Sequence, residues 1–352
     1  MNSSTTHATG RLQALAALVA TCVLCGASSA SALEGSRAVG KIGPRTPVKT
    51  YSRDGRASLN DLYAAYDRLA QEHGWIREVV YVARTTVDGK RVRLPVVAYR
   101  TPQQGKAIWI VSGVHGEEPA GPNALAQKKN VDRLAKIAKE RGIPMVVMPL
   151  LNPAGYRKNW RYQNIRRNWR KGKSVSDVDH LVLGLAEAGQ DPTKTIRAKA
   201  ISPLSRDVTT WIAKMSTAYQ PVLWLDSHED ERNKGTYSYV YSQTATGAKD
   251  PVAQALRKIL GRAGFPSQRS GKTRFGETIV NGVVSNLGDR SLEDLAARDR
   301  VVLDGKVVPK PAARSVIVPE TPVRHALPAR VAVHGKIFRS VEKFWDLLMA
   351  GE

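Results

Sequence analysis

The sequence predicts an α/β domain with a central mixed, mostly parallel twisted sheet that helices cover on both faces. Short apolar, β-branched runs typical of buried strands alternate with segments of helical periodicity. Several of these runs end in polar residues, as strands do where an open α/β sheet borders a ligand crevice. No internal repeat or linker divides residues 33–352, which favours a single domain over that range.

The predicted elements follow in chain order. A polar, extended arm at 33–57 precedes a helix at 61–72 that Ser58 caps. Two β-like runs on either side of Asp88-Gly89 predict a hairpin, because this dipeptide favours a tight two-residue turn. Further strands are predicted at 107–111, 145–151, 222–225, 237–241 and 316–318, and further helices at 119–141, 205–219, 251–263 and 334–349.

Residues 1–32 have the features of a cleavable signal peptide. Arg11 is the only residue there with a formal charge, the run 12–25 is apolar, and Ala30-Ser31-Ala32 supplies a small-residue cleavage site. The apolar run is shorter than the roughly 20 residues that a transmembrane helix needs. We therefore expect a secreted or periplasmic protein whose mature chain has no transmembrane segment.

Composition narrows the chemistry of any site. Both cysteines, Cys22 and Cys25, lie in the leader, so the mature chain offers neither a disulfide nor a thiolate ligand. A metal would have to be bound by imidazole and carboxylate groups. The formal net charge of +23 suits an anionic envelope surface, although it also fits a simple role in solubility. No nucleic-acid partner is expected, since no recognition motif is present.

The stretch after the predicted strand at 107–111 is the first candidate site. His115 and Glu118 stand on the turn between this strand and a helix that begins near Pro119. An imidazole and a carboxylate on such a turn can bind one metal ion together. Gly113 and Gly116 allow the tight bend that this requires.

Two later strands end in residues that complete such a site. His228 follows the strand at 222–225, and Glu320 follows the strand at 316–318. Two histidines and one carboxylate form an open zinc site that leaves a fourth position for water. Glu320 would then be the general base that takes a proton from the water and passes it to the leaving nitrogen. Asp226 is a candidate hydrogen-bond acceptor behind a ligand imidazole.

With these residues in place, the chain resembles the zinc carboxypeptidases over about residues 108–321. The resemblance rests on four motifs in order: His115-x-x-Glu118, Asn152-Pro153-Ala154-Gly155-Tyr156, the segment Asn168-Trp169-Arg170-Lys171, and Asp-Ser-His228 followed by Glu320. It implies one Zn²⁺ ion held by His115, Glu118 and His228, with Glu320 as the base. It also implies that Arg170 polarises the scissile carbonyl, as a guanidinium can. Arg166 and Arg167 are alternatives for that role.

The chain departs from this resemblance where the substrate would bind. The stretch that should hold a free C-terminal carboxylate reads Asp177-Val178-Asp179-His180. Asp177 is expected to support His115, whereas Asp179, His180 and Arg167 are the candidate substrate contacts. No tyrosine follows Tyr241 in the sequence, so the phenol that the resemblance places shortly before Glu320 is missing. His334 is interpreted as a helix-start residue.

The leading interpretation is an exported zinc-dependent hydrolase of metallocarboxypeptidase type. Its substrate would be a peptide or amide bond in cell-wall or envelope-derived peptides, including peptidoglycan fragments. The first alternative is an N-acyl amino acid deacylase that resembles the succinylglutamate desuccinylase and aspartoacylase branch. The second is a non-catalytic envelope-binding protein on the same scaffold. The ligand set does not exclude another divalent metal.

Overall fold

The computed structural model describes residues 47–163, 202–230, 237–244, 246–273, 275–285, 291–303 and 306–350. These ranges all lie in one compact unit, Ile42–Glu352. The leader, Arg166, Arg167, Arg170, Asp177, Asp179 and His180 fall outside the described residues, so their predicted roles stay predictions.

The core of the fold is a ten-stranded mixed sheet with the order β1-β2-β4-β3-β5-β12-β6-β9-β8-β7, beside which β10 and β11 form a separate two-stranded sheet. The strands are β1 Ile76–Val87, β2 Lys90–Arg100, β3 Gly105–Ser112, β4 Met145–Met148, β5 Tyr219–Asp230, β6 Tyr239–Ser242, β7 Ser270–Lys272, β8 Thr278–Val280, β9 Val283–Ser285, β10 Arg300–Leu303, β11 Lys306–Pro309 and β12 Ser315–Pro322.

Parallel pairing is concentrated at the centre of the sheet. Strands β4, β3, β5 and β12 lie parallel to one another, and β6 and β9 form a further parallel pair. The other pairs are antiparallel, including the β1–β2 hairpin. Its turn is the predicted Asp88-Gly89, with φ of 47° and 75°, as a two-residue turn of this kind requires.

Ten α-helices are present among the described residues, with a short 3₁₀ helix at Gly247–Lys249. They are α1 Leu59–Tyr66, α2 Arg68–Gln71, α3 Ala120–Leu125, α4 Lys128–Arg141, α5 Pro153–Tyr156, α6 Pro203–Ala218, α7 Pro251–Arg262, α8 Leu292–Ala297, α9 Leu327–Phe338 and α10 Val341–Met349.

Three of the predicted helices are interrupted. The helix predicted at 61–72 divides into α1 and α2 at Asp67. The helix expected from Pro119 divides into α3 and α4. At this break the side-chain amide of Asn130 donates to the Ala124 carbonyl at 2.6 Å. The C-terminal helix begins earlier than predicted and divides into α9 and α10 at Ser340, whose hydroxyl donates to the Lys336 carbonyl at 2.8 Å. Such side-chain bonds compete with helix continuation.

The two faces of the sheet carry separate apolar clusters, because successive side chains of a strand point to opposite faces. Ile108 and Ile110 pack with helices α1, α3, α4, α7, α9 and α10. Trp109 and Val111 pack with helices α6 and α8 on the other face. The prediction of a mixed sheet covered by helices on both faces is confirmed.

Among the described residues, no helix is both long enough and apolar enough to cross a lipid bilayer.

Candidate metal centre and active site

The central parallel strands bring the predicted site residues to one edge of the sheet. His115 and Glu118 lie on the turn that leads from β3 to α3, and His228 lies near the end of β5. Strand β12 pairs with β5 in a register that sets Glu320 opposite His228. Parallel strands place their carboxyl ends together, so residues about 200 positions apart in the chain meet here.

His115, Glu118 and His228 are buried and their donor atoms converge. His115 Nδ1 lies 2.6 Å from Glu118 Oε1, and His228 Nδ1 lies 3.1 Å from Glu118 Oε2. The two Nδ1 atoms are 3.2 Å apart. Two imidazoles and a carboxylate thus face one point, which is the arrangement that the sequence predicted for a metal site.

These three side chains fit a zinc ion. Two ligands of a tetrahedral zinc, each about 2.0–2.1 Å from the ion, lie roughly 3.3 Å from each other. The separations of 3.1 and 3.2 Å are close to this value. Two histidines and one carboxylate also form the ligand set of a zinc site with an open position.

The carboxylate of Glu118 and the imidazoles of His115 and His228 stabilise each other's charged forms. Burial alone would raise the pKa of Glu118, but His115 and His228 hold it well below its usual value. Burial opposes a charge on His228, yet Asp226 and Glu118 raise its pKa well above its usual value. A positive charge between these groups is therefore favoured, and a bound cation would supply it.

The other ring nitrogen of His228 faces carboxylates. Its Nε2 lies 3.3 Å from Asp226 Oδ1 and 3.9 Å from Glu293 Oε1, and all three residues are buried. A carboxylate behind a ligand imidazole fixes its tautomer and orientation. Asp226 stands where the sequence analysis placed it. Glu293, on α8, was missed, because nothing in its local sequence shows which strand its helix covers.

Glu320 is half-buried beside this cluster. Burial raises its pKa to about 8, with His228 opposing the shift and Glu118 adding to it. Strand β6 runs antiparallel to β12 and sets Tyr239 opposite Glu320. Two phenols, those of Tyr239 and Tyr241, thus lie near Glu320 on a neighbouring strand. Tyr239 donates to Asp230 at 2.9 Å, and Tyr241 donates to Glu277 at 2.9 Å.

The Asn152–Tyr156 motif shapes the loop beside the ligands. The Asn152 side chain accepts from the Gly155 amide and donates to the Arg161 carbonyl, both at 2.8 Å. Arg161 in turn donates to Glu117 and Glu118 at 3.2 Å each. The contact of Arg161 with the candidate ligand Glu118 was not predicted from the sequence.

The ligand turn is also held from the N-terminal side. Arg56 is buried, pairs with Asp54, and donates to the Gly116 and Tyr156 carbonyls at 2.7 Å each. Its guanidinium lies over the Tyr156 ring, 4.7 Å from the centroid. The predicted arm at 33–57 therefore contacts the ligand turn through Arg56.

Gly116 is required by close packing. A Cβ atom there would lie 2.1 Å from the Gly155 carbonyl carbon and 2.3 Å from the Trp160 carbonyl oxygen. We expect Gly116→Ala to lower the free energy of unfolding by about 1–3 kcal/mol, because backbone must move to admit the methyl group. Zinc binding should weaken as well, since His115 is adjacent. Urea unfolding and zinc titration measure both effects.

The matched control for that variant is Gly261→Ala in α7, where a Cβ atom would meet nothing within 4 Å. It should be neutral or slightly stabilising, because alanine favours a helix. Equal stability and zinc affinity for both variants would contradict the packing argument at Gly116.

Helix α9 contacts the face of β5 and β12 opposite the ligands. His334 is fully buried, with Nδ1 2.6 Å from Ser227 Oγ and Nε2 2.9 Å from Thr321 Oγ1. One turn earlier, Arg330 donates to the buried Glu229. Burial raises the pKa of Glu229 to about 7, although Arg330 opposes this shift. The interpretation of His334 as a helix-start residue is wrong, since α9 begins at Leu327.

Burial, with Arg330 and His228 nearby, lowers the pKa of His334 from 6.5 to about 3. Between pH 6.5 and pH 3, His334 is therefore protonated in the unfolded chain but neutral in the folded protein. The free energy of unfolding should therefore be unaffected by this proton above pH 6.5. Below pH 6.5 we expect it to fall by up to about 1.4 kcal/mol per pH unit towards pH 3. Urea unfolding of wild type and His334→Gln across this range tests it. Parallel stability curves for the two proteins would contradict it.

Comparisons with solved structures agree on the fold. A candidate metallopeptidase from Shewanella amazonensis superposes with a TM-score of 0.58 at 21% identity, covering 82% of this chain and 92% of that chain. One from Shewanella baltica gives 0.58 at 20% identity, covering 84% and 99%. Bovine thrombin-activatable fibrinolysis inhibitor, solved with tick carboxypeptidase inhibitor, gives 0.51 at 10% identity, covering 85% and 99%.

No protein-family model and no curated protein matches the sequence. At these identities the structural similarity shows a shared fold. The chain has the α/β fold of these metallopeptidase-like structures, which confirms the fold predicted from its resemblance to the zinc carboxypeptidases.

Proposed function

We propose that the protein is an exported zinc-dependent hydrolase of metallocarboxypeptidase type, which cleaves a peptide or amide bond in envelope-derived peptides. The observation that carries the proposal is the convergence of His115, Glu118 and His228 on one point, with Glu320 opposite His228. A binding protein has no need for a free carboxylate beside a metal site, whereas a hydrolase needs one as a base.

The residues divide the chemistry between them. His115 and His228, through Nδ1, and Glu118 would hold the zinc ion, which when bound acts as a Lewis acid on water and on the scissile carbonyl. Glu320 takes the proton of the attacking water and returns it to the leaving nitrogen. A carboxylate at this place suits both steps, because it can take a proton from water and give it up again to the nitrogen.

Three further assignments belong to the proposal. Arg170, or its neighbours Arg166 and Arg167, would polarise the carbonyl, as the resemblance implies. Asp179 and His180 would contact the substrate, where an aspartate favours an ammonium group over a carboxylate. Export to the periplasm or medium is supported by the leader at 1–32, and attraction to the anionic envelope is supported by the net charge of +23.

A substrate panel tests the proposal. The purified mature protein, loaded with zinc, is incubated with muropeptides, with peptides bearing a free C terminus and with N-acyl amino acids. We expect release of an amino acid or peptide from the first or second group, lost with a chelator and restored by zinc.

The other outcomes of this panel point to the alternatives. Hydrolysis confined to N-acyl amino acids would replace the proposal by a deacylase of the aspartoacylase type. Zinc binding without turnover on any substrate would favour a non-catalytic binding protein. Hydrolysis that persists in the metal-free protein would overturn the zinc mechanism.

A further inference from the structure

Ser227 and Thr321 lie next to the two groups whose relative position matters most for the proposed reaction. Ser227 directly precedes His228 in β5, and Thr321 directly follows Glu320 in β12. Because side chains alternate along a strand, both hydroxyls point to the face opposite the site. A group that binds both hydroxyls on that face therefore links the backbone beside the candidate ligand to the backbone beside the base.

His334 is that group. Its two ring nitrogens contact one hydroxyl each, at 2.6 Å to Ser227 and 2.9 Å to Thr321. A neutral imidazole has one donor and one acceptor, so one hydroxyl must donate to the ring and the other must accept from it. Burial keeps the ring neutral, with the pKa of His334 near 3. The bridge is directional at both ends, unlike the apolar contacts around it.

A second contact fixes the helix that carries this ring. Arg330 and His334 are four residues apart on α9, hence on one helix face. Arg330 donates to Glu229, whose other carboxylate oxygen accepts from the Ala120 amide at 2.7 Å. The Glu229 amide donates to Glu118 Oε2 at 3.1 Å. Helix α9 thereby contacts residues adjacent to His228, Glu118 and Glu320.

We propose that His334 is a positioning residue that sets the distance between His228 and Glu320 by bridging Ser227 and Thr321 behind the sheet. The inference rests on the proposed function for the role of Glu320. The positioning of His228 by His334 can be tested by metal binding alone, without any hydrolytic activity. His334 lies on the face of the sheet opposite the candidate ligands, so its effect would reach the reaction through the two strands.

The test uses two variants of the full mature chain and one control. His334→Phe keeps an aromatic ring of similar size but breaks both hydrogen bonds and leaves two buried hydroxyls unpaired. Ser227→Ala/Thr321→Val/His334→Phe removes all the polar groups, so much of the lost stability should return. The control is Ser216→Ala in α6, a helix that carries no candidate ligand. This variant loses a buried hydrogen bond of 2.7 Å from the Ser216 hydroxyl to the Ile212 carbonyl.

Each protein is assayed for zinc affinity by chelator competition, for the visible spectrum of bound Co²⁺, and for kcat and KM. We expect His334→Phe to lose about 10–100-fold in zinc affinity or kcat, with an altered Co²⁺ spectrum and little change in KM. The triple variant should regain stability but not zinc affinity or kcat. Ser216→Ala should match wild type in all three assays.

The outcomes separate the two proposals. Recovery of zinc affinity and kcat together with stability in the triple variant would show that His334 serves packing only, which overturns the inference. An unchanged Co²⁺ spectrum and unchanged kcat in His334→Phe would overturn it as well. A wild-type protein that binds zinc but hydrolyses nothing would refute the proposed function, while the metal readouts would still decide the role of His334 towards His228.

Discussion

Replacement of Glu320 by glutamine is expected to lower kcat by about 10²–10⁴-fold, the contribution typical of a general acid–base residue. The amide has nearly the same shape but cannot take a proton from water. Glu320 lies outside the cluster of three candidate ligands, so zinc affinity should stay close to that of wild type. Steady-state kinetics on the best substrate of the panel and a measurement of zinc content give both quantities.

The control for this variant is Glu342→Gln. Glu342 is also a half-buried glutamate, but it pairs with Arg133 and Arg141 away from the site. Its kcat should equal that of wild type. If Glu320→Gln keeps its turnover within about tenfold of wild type, the base must be sought elsewhere. Loss of zinc in this variant would instead assign Glu320 to the metal.

Arg330→Met is expected to cost about 3–5 kcal/mol of folding free energy, because it leaves Glu229 buried without its cation. The cost should depend on pH. Without Arg330, the pKa of Glu229 rises above its value of about 7, so the folded protein holds a proton that the unfolded chain has lost. Stability therefore falls as pH rises from about 4.5 through the new pKa. Urea unfolding at about pH 5.5 and pH 8.5 should show a larger loss at the higher pH.

Two further variants make this prediction specific. Glu229→Gln with Arg330→Met removes both charges while its amide oxygen can still accept from the Ala120 amide, so most of the loss should be recovered. Arg141→Met removes a surface arginine that pairs with Glu342 and Asp346, and it should cost no more than about 1 kcal/mol. A loss in Arg330→Met as small as that of Arg141→Met would contradict the argument.

The features that sequence predicted well have local signals. Asp88-Gly89 specifies its turn through backbone conformation, and the strands at the centre of the sheet read as short apolar runs bounded by polar residues. The candidate ligands His115, Glu118 and His228 were predicted because each follows such a run, and the structure places their side chains together. Glu320 followed from the same logic, and the parallel register then determined its place opposite His228.

The features that sequence missed depend on pairings between distant segments. His334 was interpreted as a helix-start residue because its sequence neighbours say nothing of its partner Ser227, which is 107 positions away. Tyr239 reaches Glu320 only because β6 pairs antiparallel with β12. Glu293 lies on a six-residue helix that joins the site through tertiary packing. No local pattern encodes these contacts.

The hydrogen bonds of Arg56 limit how far the protein can be truncated from its N-terminal side. Arg56 joins the carbonyl of Gly116 to that of Tyr156, and Asp54 holds the guanidinium in place. Residues ahead of the first helix therefore support the turn that carries the candidate ligands His115 and Glu118. A truncated protein that begins after Arg56 would keep every candidate ligand and the candidate base, yet it would lose the guanidinium that anchors the loop on which two of those ligands stand.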